Sequence, residues 1–78
     1  MRETFEEKVA AQVNELVSTC GLSPRERDVL VGLARGNTAA SIAKGLHIST
    51  STAQGYIKTL YVKLGVNRKQ QVIDLFQN

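Results

Sequence analysis

A chain of 78 residues with 42% hydrophobic residues, one cysteine and a formal charge of +3 is sized for one small domain, which buries only a modest share of its surface. That size disfavours a deep substrate cleft, and the lone Cys20 excludes an internal disulfide and has no companions at metal-ligand spacing. No apolar run approaches the ~20 residues of a membrane span and the start is too acidic for a signal peptide, so reducing, cytoplasmic surroundings are expected.

The first element is an amphipathic helix over about residues 3–19. Phe5, Val9, Val13, Leu16, Val17 and Cys20 recur at spacings of three and four and form one apolar stripe. Gly21 ends it, with Cys20 read as a small buried residue at the helix end. Ser23-Pro24-Arg25-Glu26 then opens a second helix. Ser23 can accept from the Glu26 amide, Pro24 suits the first helical position, and Glu26 can reach back to the Ser23 amide. Val29, Leu30, Leu33 and Ala34 face inward, and Gly36-Asn37 stops the run.

Thr38 caps a third helix more weakly, because Ser41 stands where a capping-box acid would help. Ile42, Ala43 and Leu46 share one face of it; Gly45 is expected to supply its stop and Ser49 the next start. The fourth helix runs over about residues 50–64 with Ala53, Ile57, Leu60, Tyr61 and Leu64 inward, and Gly65 closes it. Asn67 with Gln70 reads as the cap of a last helix carrying Val72, Ile73, Leu75 and Phe76. Nothing alternates with period two, so no sheet is expected. The expected fold is all-α: a linker helix over residues 1–20 and a four-helix bundle over residues 21–78.

Two short helices joined by a tight turn over residues 45–49 have the outline of a helix-turn-helix that binds double-stranded DNA. Charge supports this. Residues 1–20 set Arg2 and Lys8 against Glu3, Glu6, Glu7 and Glu15, a net −2. The remainder sets Arg25, Arg27, Arg35, Lys44, Lys58, Lys63, Arg68 and Lys69 against Glu26, Asp28 and Asp74, a net +5 that favours a polyanionic partner.

Residues 22–30 (Leu22-Ser23-Pro24-Arg25-Glu26-Arg27-Asp28-Val29-Leu30), then Leu33-Ala34-Arg35-Gly36, Ile42-Ala43, Leu46, Ile48-Ser49, Thr52, Ile57 and Lys63-Leu64-Gly65-Val66 resemble the LuxR-type, or GerE-like, helix-turn-helix domain of bacterial transcription regulators. The resemblance covers about residues 21–76. It implies that the chain is an output domain, usually C-terminal to a sensing or receiver domain, although a free-standing small regulator is also open.

What the resemblance implies can be set against the residue chemistry. The fourth helix lies in the major groove, with Thr50, Ser51, Gln54, Gly55 and Lys58 off its apolar stripe and available to base edges. Gln54 stands where the family usually has a basic residue; Gln pairs in bidentate fashion with adenine, and its alternative role is a solvated helix position. Gly55 costs about 1 kcal/mol of helix stability relative to Ala and permits close backbone approach. Lys63 matches a phosphate-contacting lysine, and Lys58 a position that can reach bases. Thr52 matches a threonine meeting backbone phosphate, as can the helix N-terminus. Thr38 can do the same or simply cap. Tyr56, in place of a common histidine, can donate to a phosphate or cover the core edge. Ala39, Ala40 and Ser41 replace a charged run, Ala53 replaces a larger valine, and His47 is a turn residue.

One recognition helix reads few base pairs, so a homodimer on paired half-sites is expected, with the last helix as its seam through Lys69, Val72 and Ile73 and Val72 as the preferred contact. Val9, Val13 and Leu16 of the first helix are the next place for such a seam. Catalysis is disfavoured, since His47 and Cys20 have no third partner and no glycine loop or paired carboxylates accompany them. No cofactor, metal or small-molecule substrate is expected. The rival readings are a protein–protein interaction module on the same fold and a sigma-factor-like promoter module.

Overall fold

The computed structural model describes residues 4–76 and folds them into five helices with no strand among them: α1 (Phe5–Cys20), α2 (Pro24–Ala34), α3 (Ala39–Leu46), α4 (Thr50–Leu64) and α5 (Lys69–Asp74). The Phe5 side chain, expected on the first stripe, lies outside the described set. Helix α2 packs against each of the other four, and α3 packs closely on α4. Around α2 sit the fully buried Val13, Val29, Leu30, Leu33, Leu60 and Val72, with Val9, Ile42 and Phe76 nearly so. Helix α1 thus contributes Val9 and Val13 to the common core. It is fastened further by an Arg35–Glu6 ion pair and by Gln12 Nε2 donating to the Leu75 carbonyl at 3.3 Å. Cys20 is half-buried at the end of α1, less enclosed than expected.

Helix starts follow side-chain capping. The capping box at Ser23 forms as expected, Glu26 N donating to Ser23 Oγ (3.2 Å) and Ser23 N to Glu26 Oε1 (2.8 Å). An equivalent box between Thr4 and Glu7 starts α1. Thr38 caps α3 without a box, accepting only from Ser41 N at 3.1 Å. The start of α5 differs by one residue from expectation. Arg68 is the N-cap, and Gln71, not Gln70, reaches back, its Oε1 accepting from Asn67 N (2.6 Å) and Arg68 N (3.2 Å). Gln70 instead pairs with Asp74 at 2.9 Å.

Helix ends share one device. In α1 to α4 a residue in the left-handed region lets the following amide donate to the carbonyl five residues back: Leu22 to Val17, Asn37 to Gly32, Ile48 to Ala43, and Val66 to Tyr61. The left-handed residue is Gly21, Gly36 or Gly65 in three cases. In α3 it is His47, at φ 59°, so the expected stop at Gly45 is displaced by two residues and Gly45 lies inside the helix. Ending at Gly45 would take Leu46 out of its register with Ile42 and Ala43. His is among the residues that tolerate this conformation better than most.

Lys63 makes contacts inside the domain. Its ammonium sits 2.8 Å from Glu26 Oε1 and 3.2 Å from the Gly21 carbonyl. Among the described residues Glu26 is the one buried charged side chain, 4% exposed. Its carboxyl lies below its usual 4.5, first because Lys63 donates to it and next because the Ser23 amide does, both outweighing the cost of burial. The Lys63 cation is thus engaged within the domain while its side chain stays partly exposed.

Two outcomes test this architecture. Because the folded Glu26 carboxyl lies below its unfolded value, the stabilisation is full above about pH 4.5 and is lost as pH falls through the folded value. Lys63→Met should lower stability by about 2 kcal/mol at pH 7, less than a fully buried pair because the Lys63 side chain stays 34% exposed and screened. Urea titrations should show that gap narrowing below pH 4.5; a gap independent of pH would place the stabilisation elsewhere. Two of the helical glycines, Gly32 and Gly55, should respond with opposite signs. A Cβ at Gly32 would stand 2.7 Å from Ile42 Cγ1, so Gly32→Ala should cost about 1 kcal/mol after its propensity gain. At Gly55 a Cβ meets nothing within 4 Å, and Gly55→Ala should stabilise by about 1 kcal/mol.

Candidate nucleic-acid interface

Helices α3 and α4 are joined by residues 47–49 alone, a link short enough to force a steep crossing. His47 reverses the chain, Ile48 turns inward to half-buried packing, and Ser49 starts α4 at once. Ser49 Oγ accepts from Thr52 N at 3.0 Å and donates to Thr52 Oγ1 at 2.8 Å. Having accepted there, the Thr52 hydroxyl still has its own proton to donate.

Burial divides α4 into two faces. Ala53 and Leu60 are fully enclosed, with Tyr56, Ile57, Tyr61 and Leu64 packed partly against the core. Burial pushes the Tyr61 phenol above its usual 10.0, leaving it a neutral donor at physiological pH. The opposite face presents Thr50, Ser51, Thr52, Gln54, Gly55, Lys58 and Lys63, all exposed. Every expected α4 site residue except Tyr56 is therefore on the open surface, and Tyr56 is drawn toward the core edge. Thr38, at the start of α3, is exposed as well.

The outward face of α4 carries no carboxylate. Lys58 has no ion-pair partner among the described residues, and Lys44, exposed on α3, adds a second such cation. Local charge therefore matches a polyanion even with Lys63 withdrawn to Glu26.

The expected dimer contacts fare unevenly. Val72 is 0% exposed, enclosed within its own protomer, and cannot be a contact in this fold. It belongs to the core because α5, six residues long, spends its inward turn on α2. Lys69 donates to the Gly36 carbonyl at 3.1 Å, which ties α5 to the end of α2. Ile73 is half-buried, whereas Leu75, at the end of the same last helix, is 42% exposed. In the alternative seam, Val9 and Val13 are buried too and Leu16 is half-buried.

Two residues had no assigned role before the fold was known. Gly32 lets Ile42 approach α2, and a glycine inside a helical pattern is the available signal for such a crossing. Val62, 82% exposed, lies on the same outward face as Lys58, and only its departure from the apolar stripe marked it.

Similarity to known proteins agrees with this geometry. Residues 21–76 match the family described as GerE, bacterial regulatory proteins, luxR family. The HTH-type transcriptional regulator MalT of Yersinia pestis (strain Pestoides F) is 35% identical over 77 residues, which cover 96% of this chain and 8% of that regulator. MalT of Yersinia pseudotuberculosis serotype O:3 (strain YPIII) gives the same figures. The HTH-type regulator GfsR of Streptomyces halstedii is 35% identical over 52 residues, 67% of this chain and 21% of GfsR. No solved structure gives a significant match. The chain belongs to the luxR family of bacterial regulatory proteins, whose mark is a DNA-binding helix-turn-helix of the kind formed here by α3 and α4.

Proposed function

We propose that α4 lies in the major groove of duplex DNA and reads base edges through Gln54 and Lys58, with Ser51 and Gly55 bringing the helix close. The observation that carries this is the outward face of α4: small, polar and cationic, free of carboxylates, and set on the second helix of a tight helix-turn-helix. Thr50 and Thr52 serve the phosphates beside the N-terminus of α4, whose first amides have no intrahelical acceptor. Thr38 and Lys44 serve the groove edge on the α3 side, and the Tyr56 hydroxyl is placed for a phosphate at the margin. None of this calls for catalysis, metal or cofactor.

In this reading, residues 21–78 are the output domain of a cytoplasmic transcriptional regulator, with α1 leading from a sensing domain. Paired half-sites are filled by two copies meeting through Ile73 and Leu75, the α5-end side chains that remain accessible. Selection of bound duplexes from a random library, followed by salt titration of the winner, tests the whole proposal. A DNA reader returns a preferred sequence and a steep loss of affinity with salt, whereas a protein-interaction module returns neither.

Readout and assembly separate by mutation. Gln54→Ala should relax discrimination at one base step by about 1 to 3 kcal/mol and leave others intact; an unchanged preference removes Gln54 from the reading set. Leu75→Glu should abolish cooperative filling of two half-sites with little change in single half-site affinity or helicity. Val72→Glu should unfold the domain instead, and circular dichroism distinguishes the two.

A further inference from the structure

Gly55 and Val62 are seven residues apart on α4, so their side-chain directions differ by about 20° and their heights along the axis by about 10 Å. Both are exposed, and with Ser51 and Lys58 they form the ridge farthest from the core. Val62 is the most exposed large hydrophobic residue among those described, at 82%. Val is also a weaker helix former than the Lys, Gln or Ala that would serve a purely solvated position. A shallow depression borders it, lined by Lys58, Tyr61, Gly65, Val66 and Asn67, with no carboxylate among them.

We infer that Val62 is a specificity-determining residue that seats its isopropyl group against the 5-methyl of a thymine about three base pairs from the step faced by Gly55. The inference rests on the groove placement proposed above. Three features on one ridge carry it. Ser51 and Gly55 are small, so the helix axis can come close to the groove floor and a side chain as short as Val62 reaches a base edge. About 10 Å of helix corresponds to about three base-pair steps of 3.4 Å. The long side chain one turn away on this ridge is the unpaired Lys58, which directs the ridge toward a polyanion. Among base-edge groups, the thymine methyl is the one an aliphatic side chain recognises.

The test uses the 78-residue chain, its Val62→Ala variant and the duplex chosen by selection. Each thymine is replaced in turn by uracil, which removes the methyl and nothing else, and affinity is read by fluorescence anisotropy. One replacement should weaken the parent about fourfold, the worth of one buried methyl. Val62→Ala should bind the thymine duplex with a similar loss and show no further response to that replacement. Because Ala is the better helix former and Val62 touches little, helicity by circular dichroism should be retained. Intact, salt-sensitive binding with indifference to every methyl overturns the assignment of Val62 alone. So does a methyl response that persists in Val62→Ala. Absence of any salt-sensitive duplex binding by the parent overturns the groove placement itself, and the Val62 assignment with it.

Discussion

The carboxylate of Glu26 is the point on which three helix ends converge. One oxygen accepts both from the Ser23 amide that begins α2 and from the Lys63 ammonium near the end of α4, and that ammonium also reaches the Gly21 carbonyl that ends α1. A carboxylate this buried is tolerable only while such donors surround it. The consequence for function is positional. Helix α4 is held at its start by the three-residue turn from α3, along its length by Ala53 and Leu60 in the core, and at its far end by Lys63. A helix fixed at both ends presents its outward ridge at one angle, which is what the base reading proposed for α4 requires.

The same use of lysine recurs at the other end of α2. Neither α1 nor α2 carries a basic residue in its own last turn, and each receives one from elsewhere in the chain: Lys63 at the Gly21 carbonyl, Lys69 at the Gly36 carbonyl. Both meet the negative end of a helix dipole. Net charge therefore overstates what is offered to a partner. Of the eight basic residues beyond residue 20, Lys63 and Lys69 are engaged inside the domain, Arg35 pairs with Glu6 and Arg27 lies near Asp28. Arg25, Lys44, Lys58 and Arg68 remain without an internal side-chain partner among the described residues, and Lys44 and Lys58 belong to the helix-turn-helix.

Local chemistry was legible in advance, and long-range pairing was not. Ser23, Pro24 and Glu26 announce a helix start because all three act within one turn, and Gly21, Gly36 and Gly65 mark helix ends because few other residues enter the left-handed region cheaply. The misplacement of the third ending has a physical reason. Glycine permits the left-handed turn, but the packing of Leu46 and Ile48 decides where it falls, and His47 accepts the strain. Nothing within a few residues of Lys63 reveals a carboxylate 37 positions away. The apolar content of α5 was equally ambiguous: Val72 was read as the preferred dimer contact, and only the docking of that short helix on α2 buries it and leaves Leu75 accessible.

Helix α1 shows how such docking can change a boundary. The family match begins at residue 21, which leaves α1 with the look of a connecting segment. Yet Val9 and Val13 are buried, and burying a valine stabilises by about 1.5 to 3 kcal/mol. For a domain of this size, whose net stability is only about 5 to 10 kcal/mol, two such side chains are a large share of the total. The MalT similarity extends over 96% of the chain and so includes most of α1. In packing terms, α1 shares the core of the bundle. Because it rests on α2, and α2 touches every other helix, displacement of α1 would first loosen the element against which α3, α4 and α5 are aligned.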